Sequence, residues 1–271
     1  MSGQPIGGRP EWVRWPRVGG APRRELRSLV VGDYTGFSAA TAPRHLRLAA
    51  TTSVPLIIKI RDSAHRPPGF VHGVHGSYSV MDGECAPEYL EVRLAPLGAY
   101  VLLGGVPMDE LSGHLVDAVA LFGSSGRRLG ERIRAESTWR RRFDIVEEFL
   151  LRRLEAGPRP SPEVAWAWRR LVTSGGTVAI RQVAADVGWS HKHLITKFKR
   201  EVGLPPKTAA RLVRFERLME RLDEHLPPRW EQVAVDGGYA DQAHLIREFR
   251  EFTGTTPTAF WDSARASGRV A

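Results

Sequence analysis

A pattern of about 50 residues occurs twice near the end of the chain, and no other feature restricts the fold as much. The first copy runs Ile180, Val183, Ala184, Val187, Gly188, Trp189, then Leu194, Phe198, Gly203 and Pro206. The second runs Trp230, Val233, Ala234, Gly237, Gly238, Tyr239, then Leu245, Phe249, Gly254 and Pro257. The offset is 50 up to the aromatic residue and 51 from Leu194 onward, so the second copy has one extra residue in its turn. Each copy has the parts of a helix-turn-helix. Two helices that cross closely need a small residue where they meet, Ala184 and Ala234. The turn needs a residue that tolerates a left-handed backbone, Gly188 and Gly238. The second helix needs an N-cap, supplied by Ser190 and Asp241. It also needs an inward apolar pair four apart, Leu194/Phe198 and Leu245/Phe249.

Charge says what such units could bind. The net charge is +9 over 271 residues, which suits an anionic partner such as nucleic acid. Four of the five lysines, Lys192, Lys197, Lys199 and Lys207, lie on or just after the second helix of the first copy. The corresponding helix of the second copy carries Gln242, His244, Arg247 and Arg250. A helix of this kind fits a major groove about 12 Å wide. The connecting helix, about Pro206 to Leu222, spans roughly 24 Å at about 1.5 Å per residue. It could hold two reading heads toward the ~34 Å spacing of successive major grooves.

The rest of the chain reads differently. The single cysteine, Cys85, excludes an internal disulfide and a cysteine-rich zinc site. No apolar run approaches the ~20 residues of a membrane span; Val54–Ile58 is stopped by Lys59. Met1–Pro10 has no apolar signal core, so a cytoplasmic protein without membrane contact is expected. Leu26–Val31, Leu46–Ala50, Leu56–Ile60, Gly76–Met81 and Tyr89–Leu94 predict short strands. They suggest a sandwich or cupin-like barrel. Leu111, Leu115, Ala118, Val119 and Phe122 then recur at helical spacing, as do Leu129, Ile133, Phe143, Val146, Phe149, Leu150 and Leu154. Gly157-Pro158-Arg159-Pro160-Ser161-Pro162 cannot continue a helix. The expected architecture is α+β in two domains. A β-rich domain over 20–156 ends in two trailing helices. A Pro-rich linker spans 157–162, and an all-α domain over 163–262 holds two helix-turn-helix units joined by a long helix.

Residues 163–262 resemble the DNA-binding domain of the AraC/XylS transcriptional regulators. The resemblance rests on Ala184, Gly188, Ser190, Leu194 and Phe198, on Gly203-Leu204-Pro205-Pro206, and on Val233-Ala234, Gly238-Tyr239, His244-Leu245, Arg247, Phe249 and Gly254-Thr255-Thr256-Pro257. Lys207-Thr208-Ala209 stands where an aromatic residue often follows the proline, and Trp230 replaces an aliphatic residue. Leu94–Tyr100, Leu103–Pro107 and Glu110-Leu111 are similar, more loosely, to the sensor half of one set of these regulators. The resemblance implies a regulator of promoters, more an activator than a repressor, acting on double-stranded DNA with RNA polymerase as a partner. It implies an N-terminal half that senses a small-molecule effector or forms a homodimer. It maps base reading onto Lys192, Ile195 and Thr196, and onto Gln242, Ala243, Ile246 and Arg247. Arg247 would reach a guanine edge and Gln242 an adenine or a phosphate; Ile195, Ala243 and Ile246 could offer only apolar contact. Ser190, His191, Lys197, Lys199 and Arg200 fall to phosphate or capping roles, with Asp241 as the second cap.

Other candidates carry blander readings. His72 and His75, with Glu84 and Glu88 near in sequence, could ligate a metal, but on a strand the two histidines would point to opposite faces. His191 and His193 read as cap, solvent-facing or DNA-proximal residues. Arg211, Arg214, Arg217 and Arg221, mixed with Glu216 and Glu220, read as a solvated helix face rather than a phosphate grip. Arg127–Arg142 reads likewise, with Glu131 and Glu136 as helical ion-pair partners. Trp166, Trp168 and Trp261 read as core. Asp33, Asp62, Asp82 and Glu84 form no nucleophile–base pattern and no phosphate loop is present, so neither enzyme activity nor a cofactor is expected. Two alternatives are a catalytic domain fused to a DNA-binding unit, and helix-turn-helix units that bind protein.

Overall fold

The structure, a computed structural model, describes residues 17–38, 45–61, 66–82, 88–222 and 228–266. Asp62, Glu84, Cys85 and Met1–Pro10 lie outside the described residues. Among the described residues the N-terminal half holds eight strands: β1 Arg17–Gly20, β2 Tyr34–Ser38, β3 His45–Leu48, β4 Val54–Lys59, β5 Gly69–His72, β6 Ser79–Asp82, β7 Glu88–Leu94 and β8 Leu115–Asp117. Helices α1 Pro96–Leu102, α2 Met108–Leu111, α3 Ala118–Phe122, α4 Ser124–Ala135 and α5 Trp139–Ala156 belong to the same half. The other half is helical: α6 Pro162–Thr173, α7 Ile180–Asp186, α8 His191–Val202, α9 Pro206–Arg221, α10 Trp230–Asp236, α11 Gln242–Thr253 and α12 Pro257–Ala266.

Six strands form an antiparallel sheet in the order β1-β2-β7-β4-β5-β8, and β3 pairs with β6 in a separate ribbon. The alternation along β4 and β7 puts Val54, Leu56, Ile58, Leu90, Val92 and Leu94 in the core. Helix α5 lies against the sheet through Phe143, which meets Gly20, and Trp139, which meets Gly36. Any side chain at those glycines would occupy the space of the rings.

Three expectations change. Leu26–Val31 is not a strand: Arg24–Leu26 is a 3-10 turn, and Leu29 gives its carbonyl to Ala95 N–H at the start of α1. The helical spacing through Leu115 breaks, because Leu115–Asp117 adds to β5 as edge strand β8. Arg142 is not on a solvated face. It is buried, bonded to Glu88 at 3.2 Å and stacked 4.7 Å from the Trp139 ring.

The two halves share one apolar cluster that runs from Leu26 to Phe260. Their contact is also polar. Glu216, in the middle of α9, is fully buried. It accepts from Thr52 N–H at 2.8 Å, Thr51 Oγ1 at 2.9 Å and Thr52 Oγ1 at 2.9 Å. The last carbonyls of α11 are capped by the other half. Tyr78 N–H donates to Glu251 O at 3.0 Å and Ala50 N–H donates to Phe252 O at 2.8 Å. Arg47 reaches Gly254 O at 3.3 Å. At the end of α8, Gly203 takes a φ of +93°, and a Cβ there would stand 2.4 Å from Val74.

Burial pushes the Glu216 carboxyl above the usual carboxylate range, against the pull of its threonine donors. The folded chain thus holds that proton more tightly than the unfolded chain does. Its contribution is fully present below the ordinary Glu value, about 4.3, and is lost as pH rises through the raised value. Glu216→Gln keeps the threonine bonds without the buried charge. The stability of wild type relative to this variant, from thermal unfolding at a series of pH values, should fall as pH climbs from about 4 toward neutrality. A difference independent of pH would contradict the assignment. Glu216→Leu strands the Thr52 N–H and should cost about 1–3 kcal/mol relative to Glu216→Gln at any pH.

Candidate nucleic-acid interface

The two units are built as their spacing requires. Ala184 is buried at the crossing of α7 and α8, and Ala234 at that of α10 and α11. Gly188 and Gly238 have φ of +71° and +72°, the left-handed turn that a Cβ disfavours. The Ser190 hydroxyl accepts from His193 N–H at 3.2 Å, and the Asp241 carboxylate from His244 N–H at 2.6 Å. Both second helices are thereby capped. Leu194, Phe198, Leu245 and Phe249 are fully buried.

With those residues inward, the rest of each helix faces out. On α8, His191, Lys192, Thr196, Lys197, Lys199 and Arg200 are exposed, and Ile195 is half-buried. On α11, Ala243, Arg247 and Arg250 are exposed, while Gln242 and Ile246 are half-buried; Ser190 and Asp241 are exposed at the two N-termini. Among the predicted residues, Lys199 stands apart, 4.0 Å from Asp109 of α2. Thr196 bonds back to Lys192 O at 3.1 Å.

A repeated detail escaped the sequence reading. Trp189 and His193 stack edge to face at 4.6 Å, and Tyr239 and His244 do so at 5.3 Å. These pairs correspond under the repeat offset, so the aromatic residue before each cap and the histidine three beyond it form one packing unit. The aromatic-plus-histidine correspondence was the available signal.

The α9 arginines need correction. Arg211 and Arg214 do not form a solvated face: they bond Glu248 of α11 at 2.7 and 2.9 Å, and Arg211 also bonds Glu251. Arg214 lies 4.7 Å over the Tyr239 ring, and His244 stands 3.4 Å from Glu248. Desolvation raises the Glu248 carboxyl, but the two guanidiniums outweigh it and hold it below the usual range. Glu216 is likewise interior. On α8, buried Glu201 accepts from Ser161 N–H at 2.9 Å and ties the helix to the start of α6.

The histidine pair is also corrected. β5 ends at His72, the chain turns, and the His72 and His75 rings meet at 4.9 Å rather than facing apart. Burial, with the neighbouring His75 charge, takes His72 down to about 4. Glu88 pairs with Arg61 and Arg142. Among the described residues no group of three or more His, Cys, Asp or Glu is placed to hold a metal ion. No helix there is long and apolar enough to cross a membrane.

The family model described as a helix-turn-helix domain matches residues 166–263. This part of the chain is an AraC-type helix-turn-helix domain. The chain thus carries a DNA-binding domain of that type. Among solved structures, it is similar to the C-terminal domain of AraT, a response regulator from Geobacillus stearothermophilus, at 23% identity. That match covers 39% of this chain and 88% of the other, with a TM-score of 0.35. It is also similar to ToxT from Vibrio cholerae O395, at 10% identity over 93% of this chain and 94% of the other, with a TM-score of 0.41. No curated protein matches in sequence.

Glu248→Ala would leave Arg214, which is only 13% exposed, without its carboxylate. Loss of one partner of a buried pair costs about 3–5 kcal/mol; Arg211 keeps Glu251, so about 3 kcal/mol is expected in denaturant unfolding. A loss under about 0.5 kcal/mol, the size of an ordinary surface substitution, would contradict the clamp.

Proposed function

We propose that the AraC-type domain reads a bipartite, non-palindromic DNA site, with α8 in one major groove and α11 in the next. The observation that carries this reading is the pair of capped helices, each with its apolar pair buried and a basic face bare. Lys192, Ile195 and Thr196 then face bases in one half-site, and Gln242, Ala243, Ile246 and Arg247 in the other. Ser190, His191, Lys197, Lys199, Arg200 and Asp241 serve phosphates or caps. Helix α9 has 16 residues and so spaces the heads by about 24 Å.

The N-terminal half, in this proposal, controls the reading through its contacts with α8, α9 and α11. A change in that half, by effector binding or by dimerisation, alters the relative placement of the two heads and with it the affinity for DNA. The protein acts at promoters in the cytoplasm, as an activator that contacts RNA polymerase.

Selection from a random duplex pool at physiological salt tests the proposal, run in parallel for wild type and Arg247→Ala. Two enriched half-sites about one helical turn apart are expected, with one degraded by the substitution. On the recovered duplex, Arg247→Ala should cost about 1–3 kcal/mol and relax the choice at one base. Lys197→Ala should weaken all sequences alike and lower the salt slope by about one. Wild-type binding by both variants would overturn the residue assignment.

A further inference from the structure

Between the two helix-turn-helix units lies a cleft of about 580 Å³. One wall is α9, with Arg214, Arg217 and Arg221 along it. The rims are the turn before α7, at Gly175 and Thr177, and the turn of the second unit, at Gly237 and Gly238. Among the described residues, Asp236 is the one acidic residue lining it. The α9 arginines thus divide in two. Arg211 and Arg214 are committed to Glu248. Arg217 and Arg221 pair with no carboxylate among the described residues. One of them lies over the turn: a Cβ on Gly175 would stand 2.3 Å from Arg217 Nη1.

We propose that this cleft is a third DNA contact, in which Arg217 and Arg221 hold backbone phosphates of the segment that joins the two half-sites. The inference rests on the two-headed reading. Guanidinium forks match phosphate oxygens, and contacts of this kind position a duplex without reading its sequence. The location favours a DNA strand over a free anion. Gly238 is three residues before the Asp241 cap of α11, and Thr177 is three before the start of α7, so the two rims adjoin the start of one helix in each unit. The rim is also partly apolar: Val235 is 68% exposed there, a surface suited to deoxyribose.

The test is a salt series by fluorescence anisotropy on the full chain. The probe is a mixed-sequence duplex of about 40 base pairs, long enough for two adjacent major grooves. Arg217→Gln/Arg221→Gln is compared with wild type and with Lys197→Ala. Each phosphate contact contributes about 0.9 to the slope of log affinity against log salt, so the double variant should lose nearly two. Its affinity near 0.15 M salt should fall by roughly tenfold or more, with an unchanged thermal midpoint. The pool selection should return the same base preferences for the double variant. An unchanged slope in the double variant, beside a reduced slope in Lys197→Ala, would overturn the cleft contact and leave the two-headed reading standing. No binding of the duplex by wild type in low salt would instead overturn that reading itself. A rise in thermal midpoint with inorganic phosphate that needs Arg217 and Arg221, beside an unchanged DNA slope, would assign the cleft to a free anion and overturn the proposal.

Discussion

The carbonyls at the end of a helix have no partner within it, and in α11 they find one in the other half of the chain. Tyr78 and Ala50 donate backbone N–H groups to Glu251 and Phe252, and Arg47 adds a positive charge at the negative end of the helix dipole. Backbone donors at fixed positions admit little choice of angle. The direction of α11 is therefore tied to the β3–β6 ribbon, in the half of the chain that does not contain it. Helix α8 ends against the same half by packing instead, with Gly203 close to Val74. Both second helices are held at their C-termini and left free at their capped N-termini.

Helix α9 supplies the remaining constraint. It must separate the two units and also fix them. One side offers Arg211 and Arg214 to Glu248 of α11. Another offers Glu216 to Thr51 and Thr52 of the β-rich half. Burying a carboxylate is costly, and three hydrogen bonds offset only part of that cost. What such a group provides is direction: its two oxygens fit the Thr51–Thr52 corner in one arrangement.

Local chemistry made much of this legible in the sequence. A crossing alanine, a turn glycine, a cap and an inward pair are each set by neighbours within about twenty residues, and their recurrence fixed α7, α8, α10 and α11 before any contact was known. The β4 and β7 strands were legible by alternation. Misreadings arose where a distant partner decides. Leu26–Val31 has strand-like residues, yet Leu29 O is taken by Ala95 and the segment turns. Leu111, Leu115 and Ala118 sit at helical intervals, yet an open β5 edge recruits Leu115–Asp117. Arg142, Arg211, Arg214 and Glu216 look like solvent residues because a sequence does not show the carboxylates and threonines that wait for them.

The separation of duties along α8 and α11 bears on how such a protein changes over generations. Leu194, Phe198, Leu245 and Phe249 are locked into the interior, whereas Lys192, Lys197, Ala243 and Arg247 are exposed. Substitution at the outer positions leaves folding nearly untouched, since exposed side chains away from caps and ion pairs contribute within about 0.5 kcal/mol. On the proposed reading, a lineage can thus trade one set of target genes for another by drift on two narrow strips of surface, while the interior stays under a separate and stricter selection.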